Sequence, residues 1–225
     1  MLDQIIRLWT RYYYVYLRGL WGTLWLSAVS VGAASIIGTL LSFMKLSRLK
    51  PLNWIVDLYL WVLRGTPALL HLYFFWLLLP RVVPMELSDT QCIIVALIVS
   101  ASAYVCEIVR SGIQAVDIGQ TEAARSLGLS GFNVMTRVVM PQAIKNILPA
   151  LGNEYITMIK QTSLGSVFFI GELTSAYRTI QAATFLSIPS LIIAGAIYLS
   201  VTTILTLFLH LLERRMQKNE RTIQA

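Results

Sequence analysis

Residues 179–212 contain no Asp, Glu, Lys or Arg: thirty-four uncharged residues lie between Arg178 and Glu213. A second run, 19–44, extends over twenty-six positions between Arg18 and Lys45. About 20 apolar residues in a helix cross the ~30 Å hydrocarbon core of a bilayer. An open strand cannot, because its backbone N–H and C=O groups would go unpaired. Both runs therefore predict transmembrane helices. The remaining composition agrees: 56% of residues are hydrophobic and 13% are charged, about half the ~25% of a soluble domain. Such a chain is not disordered, which needs low hydrophobicity and high charge. Two cysteines cannot staple a disulfide-rich secreted scaffold. So few charges cannot cover the surface of a water-soluble enzyme.

Five helical spans are the simplest count, at about 19–44, 52–80, 90–111, 147–171 and 186–212, in one domain covering 1–225. The net charge of +7 would suggest nucleic acid in a soluble protein. Here it marks topology, because cytoplasmic loops collect Lys and Arg. With the N-terminus outside and the C-terminus inside, eleven basic residues fall on inner segments: Lys45, Arg48, Lys50, Arg110, Arg125, Arg137, Lys145, Arg214, Arg215, Lys218 and Arg221. Five fall outside: Arg7, Arg11, Arg18, Arg81 and Arg178. The expected setting is thus a lipid bilayer, crossed several times, with no nucleic-acid partner. The first apolar run is too long for a signal-peptide core and is taken as a retained span. Residues 1–18 suit an interfacial helix, with Ile5, Ile6, Trp9, Tyr13 and Tyr16 on one side and Arg7, Arg11 and Arg18 on another. The alternative is a simple flank of the first span.

Catalytic signatures are missing. There is no G-x-x-x-x-G-K-[ST] and no G-x-G-x-x-G, the two glycine-rich nucleotide cradles. There is no H-E-x-x-H and no G-x-S-x-G. Cys92 and Cys106, at opposite ends of one span, would stand about 21 Å apart on a helix, too far to pair. No enzyme activity, cofactor or metal is expected on this chain.

Residues 107–146 form the one long polar stretch. Asp117 followed three residues later by Gln120 has the form of a capping box. A helix is expected from about Ile118 to Leu127, ended by Gly128 in the left-handed conformation. Ser130 can cap a second helix leading toward Pro141. Glu122 and Arg125 are spaced as an i,i+3 surface pair. The stretch is either an ordinary connecting loop or a stiff helical excursion, about 117–141, that transmits force to a partner.

Glu122-Ala123-Ala124, then Gly128, then Val138-x-Met140-Pro141 resembles the EAA loop of binding-protein-dependent ABC importer permeases, with Val138 and Met140 as conservative departures. The flanks resemble the polar amino acid branch: Arg64-Gly65-Thr66-Pro67, Tyr104-x-x-Glu107-Ile108-x-Arg110-Ser111-Gly112, Asn153-Glu154, Lys160-Gln161-Thr162-Ser163-Leu164 and Glu172-Leu173-Thr174. Gln161 stands where the family often has Asp. The resemblance covers about residues 15–215. It implies an all-α, five-helix MetI-like permease fold with a short cytoplasmic coupling helix. It also implies separate ATPase subunits that hold ATP and Mg, an extracytoplasmic binding protein, and a second permease subunit, either an identical copy or a sister chain. The location implied is the bacterial cytoplasmic (inner) membrane. Glu122, Ala123, Ala124, Arg125, Leu127 and Gly128 would then meet the ATPase, with the two alanines permitting close approach.

Charges inside spans are costly and mark function or pairing. Asp57 and Arg64 lie seven apart, nearly on one helical face, and Glu107 and Arg110 lie three apart. Glu154 and Lys160 lie six apart in the least apolar span, so a straight helix would turn them some 120° from alignment. Transporter sites are often built on interrupted, polar spans. The expected pathway is Glu154, Lys160, Gln161, Thr162 and Ser163, with Arg64. A structural role, tying that span to other helices, is the alternative for Glu154 and Lys160. Two other functions fit the letters: an ion-coupled secondary transporter of a small polar solute, and a non-transporting membrane scaffold.

Overall fold

The computed structural model describes residues 1–221, with side chains described as far as Met216. Every regular element among the described residues is helical, as hydrocarbon surroundings demand.

Helix α1 (Leu2–Leu46) is a single rod of 45 residues, roughly 68 Å long. The expected division near Arg18 is absent. No proline falls in this stretch, and its first half has packing of its own: Leu8 and Tyr16 cluster with Leu173, Ile180, Ile193 and Ala194. The fully buried Tyr16 donates its hydroxyl to the Ser190 carbonyl at 3.1 Å. The second expected span is two helices, α2 (Lys50–Gly65) and α3 (Ala68–Val82), bent by 110°. The break falls at Thr66-Pro67. Thr66 is extended (φ −122°, ψ 151°), as the residue before a proline prefers, and Pro67 has no N–H to continue the ladder.

Helix α4 (Asp89–Gln114) is the third expected span and the centre of the molecule. Ser88 and Gln91 close its start in a capping box, and Ile93, Ala96, Leu97, Ala101 and Val105 enter the main core. After α5 (Ile118–Ser126), the helix α6 (Gly131–Asn133) runs through a π-helical turn, Val134–Val139, into α7 (Met140–Gln161). Pro141 does not end this helix. Its ring would crowd the carbonyl four residues back in a regular helix, and the wider π turn directly ahead gives room. The chain then tightens into a 3-10 helix, Thr162–Phe168, before α8 (Leu173–Thr184) and α9 (Ser187–Arg221). The fourth expected span thus starts earlier than 147 and ends in 3-10 geometry. Helix α8, which falls before the fifth span, was not anticipated.

The helices alternate in direction. Gly112 of α4 faces Ile147, while Ile93 at its other end faces Gly165, so α4 and α7 are antiparallel. Leu148 and Pro149 share a groove with Leu212 and Met216, and Gly152 meets Leu209, so α7 and α9 are antiparallel too. By length and composition α1, α4 and α9 can each cross a membrane, and the bent α2–α3 pair makes a fourth candidate span. Helix α7 is the polar fifth member of the bundle.

Gly22 sets the distance between α1 and the turn before α8. A Cβ there would overlap the Gly171 carbonyl oxygen, a backbone atom that cannot rotate away. Gly22→Ala is expected to destabilise the chain by at least the ~1–3 kcal/mol of an overpacked core, seen as a lower melting temperature in detergent. An unchanged melting curve would show that the two backbones are not held this close.

Candidate functional site

Two groups of residues carry chemistry, one on the polar loop and one on α7. In the loop, Asp117 starts α5 by accepting the Gly119 N–H at 2.6 Å. Gln120 takes no part beyond its backbone N–H on the Asp117 carbonyl, so the expected capping box does not form. At the other end Gly128 is left-handed (φ 78°). Its N–H reaches the Arg125 carbonyl at 2.9 Å and the Leu129 N–H reaches the Ala124 carbonyl at 3.2 Å. This pair of bonds is a Schellman motif. Ser130 then accepts the Asn133 N–H at 3.4 Å and starts the next helix. Every turn of the loop is thus tied by hydrogen bonds.

Ala124 is buried and joins the core with Val134 and Val139, so its small side chain seats α5 on its own chain. Glu122, Ala123, Arg125, Leu127 and Gly128 are exposed. Glu122 and Arg125 form no ion pair with each other among the described residues. Leu127 is 82% exposed, and Ile118 and Phe132 flank it at 74% and 77%. The last two apolar residues carry no motif and were missed in the sequence.

In the bundle, Glu154 is 9% exposed and its Oε1 has no hydrogen-bond partner. Lys160 is exposed and makes no ion pair among the described residues. Neither residue ties α7 to another helix through its charge. Gln161 and Ser163 are half-buried and Thr162 is buried; the Thr162 hydroxyl donates to the Ile159 carbonyl and that of Ser163 to the Lys160 carbonyl. These residues sit where α7 gives way to the 3-10 helix. Arg64 stands elsewhere, on the last turn of α2, with its guanidinium 5.8 Å over the Tyr104 ring and 3.9 Å from Glu107. Glu107 is held by Arg110 at 2.6 Å. Asp57 pairs with Lys45 of α1, not with Arg64. No group of three or more His, Cys, Asp and Glu fit to hold a metal occurs among the described residues.

A helical bundle with several membrane-crossing candidates, a polar interrupted helix and a stiff exposed loop is the architecture of a polytopic membrane protein. The family described as "Binding-protein-dependent transport system inner membrane component" matches residues 30–218. The arginine transport system permease protein ArtQ of Bacillus subtilis is 39% identical over 204 residues, 91% of this chain and 93% of that protein. A solved structure described as an amino acid ABC transporter with histidines has a TM-score of 0.87 at 40% identity, covering 92% of this chain and 96% of that one. A chain of the MetNI methionine ABC transporter, at 18% identity and a TM-score of 0.79, covers 90% of this chain and 96% of its own and shares the fold. The chain belongs to the binding-protein-dependent transport system inner membrane components. It is the permease component of an ABC importer, a multi-pass inner-membrane protein whose ATPase and substrate-binding protein are separate subunits.

Proposed function

We propose that this permease passes a polar amino acid inward across the membrane, driven by ATP and Mg held on the separate ATPase. The ATPase engages the exposed side of α5 at Glu122, Ala123, Arg125, Leu127 and Gly128, with Ala124 seating the helix from below. One observation carries this reading: a helix–turn of an otherwise apolar chain is fixed at both ends by caps yet presents Leu127 to solvent at 82% exposure. A loop that only connects needs no such stiffness. The loop lies on the cytoplasmic side, with the N-terminus outside and the C-terminus inside, in keeping with the eleven-to-five distribution of basic residues. A second permease subunit completes the passage.

The solute passes Glu154, Lys160, Gln161, Thr162, Ser163 and Arg64. An amino acid carries an ammonium and a carboxylate, and these residues offer both complementary charges. An unpartnered carboxylate deep in a bundle is expensive, and a solute ammonium would satisfy Glu154 in transit. The names of ArtQ and of the amino acid transporter structure support this class of cargo.

The test is reconstitution of the permease with its ATPase in proteoliposomes and uptake of labelled amino acids presented by the loaded binding protein. Uptake should require ATP. Glu154→Gln should cut uptake about tenfold, the worth of roughly 1.4 kcal/mol, with the melting temperature held. Uptake driven by an ion gradient without ATP would overturn the proposal in favour of secondary transport. Native uptake by Glu154→Gln would remove Glu154 from the pathway.

A further inference from the structure

The break between α2 and α3 is closed by a chain of hydrogen bonds that runs through a histidine. The Thr66 hydroxyl donates to the Val62 carbonyl at 2.6 Å. This bond satisfies one carbonyl that the interrupted helix leaves open. His71, on the second turn of α3 and only 7% exposed, places Nε2 2.6 Å from the same Thr66 oxygen. Its Nδ1 lies 3.2 Å from the Ser100 hydroxyl of α4.

Thr66 has one hydroxyl proton, and Val62 takes it, so Thr66 accepts from His71 Nε2–H. Nδ1 and the Ser100 hydroxyl close the other end of the link, the donor between them being set by the imidazole tautomer. Both ring nitrogens are used.

The link lies on the stripe of α4 that also meets Arg64. Ser100, Tyr104 and Glu107 follow at i, i+4 and i+7 and share one helix face. Ser100 holds His71, while Tyr104 and Glu107 face the Arg64 guanidinium at 5.8 Å and 3.9 Å. Arg64 is two residues before Thr66, on the last turn of α2. Glu107 is already held by Arg110 through three hydrogen bonds. The N–H groups of Arg64 make no hydrogen bond among the described residues, and their one carboxylate contact there is the 3.9 Å ion pair with Glu107.

We infer that His71 is a positioning residue: by joining Thr66 to Ser100 it pins the broken end of α2 onto α4 and holds Arg64 where the carboxylate of a passing amino acid meets it. The inference rests on the proposal that Arg64 lines the pathway. His71 itself touches no solute. Its effect reaches transport through Gly65, the single residue between Thr66 and Arg64.

The experiment compares uptake per ATP hydrolysed in proteoliposomes holding the complete importer. His71→Leu fills the space without hydrogen bonds. It should lower that ratio about fivefold, the worth of one net hydrogen bond, while ATP hydrolysis continues. His71→Gln, which can donate to Thr66 and accept from Ser100, should restore the ratio to within about twofold. A residue needed only for folding would lower uptake and hydrolysis together and leave the ratio alone. Should His71→Leu fail to assemble, Ser100→Ala cuts the far end of the link and should lower the ratio in the same way. In an Arg64→Ala background, His71→Leu should have no further effect. If Arg64→Ala lowers uptake and His71→Leu adds its own full loss on top, the positioning role is wrong and the pathway stands. If Arg64→Ala transports at the native rate, the place of Arg64 in the pathway falls, and the role of His71 falls with it.

Discussion

Gly128→Val in the assembled importer is expected to leave ATP hydrolysis running and to stop most uptake. Gly128 sits at φ 78°, where an L-residue costs about 1–2 kcal/mol and a β-branched one more. A Cβ at this position meets nothing within 4 Å. The cost is therefore purely one of backbone conformation, and the variant should fold and insert normally. What gives way is the Schellman motif: relaxing φ breaks the Gly128 bond to Arg125 and the Leu129 bond to Ala124. Leu127, immediately before it, then loses its fixed direction, and the force of the ATPase no longer reaches α6 and α7. Gly128→Asn is the control, because Asn visits the left-handed region readily. The ratio of uptake to hydrolysis should fall about tenfold for Val, as about 1.4 kcal/mol of misplacement implies, and little for Asn. Native uptake by the valine variant would show that the turn does not transmit force.

The contrast between Gly128 and Ala124 shows what the sequence could disclose. Gly128, Asp117 and Ser130 act through their own neighbours in the chain, and their types announce it. The left-handed turn and the Ser130 cap expected there are observed, and Asp117 caps α5 through the Gly119 N–H without the reciprocal Gln120 bond of a capping box. The same holds for the charge-free runs 19–44 and 179–212, whose apolar length lies in α1 and, past the end of α8, in α9. Ala124 differs because the side it presents depends on how α5 leans on Val134 and Val139, a contact that no local pattern encodes. Asp57 likewise pairs with Lys45, across the turn to α1, and not with Arg64 seven residues along its own helix. His71 offered no motif at all. Its meaning arises only when a 110° bend brings α3 back across Ser100. Within the candidate pathway, the sequence supplied the polarity of Glu154 and Lys160 but not their lack of partners, which is a property of the whole packing.

Glu172→Ala is expected to be the most damaging single change for the fold. Glu172 is fully buried and begins α8. Its carboxylate accepts the Ser175 N–H at 2.5 Å, the Thr174 N–H at 2.6 Å and the Tyr198 hydroxyl of α9 at 3.1 Å. The next orphan donor of the helix, Leu173 N–H, is taken by Thr23 of α1 at 3.1 Å. One side chain therefore caps α8 and fastens it to α9, beside the contact with α1. Negative charge at a helix N-terminus also meets the positive end of the helix dipole. Alanine would strand the two amide donors and cut the tyrosine link. With each orphaned buried donor costing about 1–3 kcal/mol, the loss comes to about 3 kcal/mol or more, a large share of the marginal stability of a domain. Tyr198→Phe removes the link to Glu172 together with the 3.1 Å bond between the Tyr198 and Thr174 hydroxyls, leaves the two amide bonds of the cap in place, and should cost about 1–2 kcal/mol. Glu172→Asp retains a capping carboxylate but is one carbon too short to serve all three donors, and it should fall between them. Melting of the detergent-solubilised chain should rank the four as native, Tyr198→Phe, Glu172→Asp, Glu172→Ala. An alanine variant that melts with the native protein would mean that α8 is not anchored through this carboxylate.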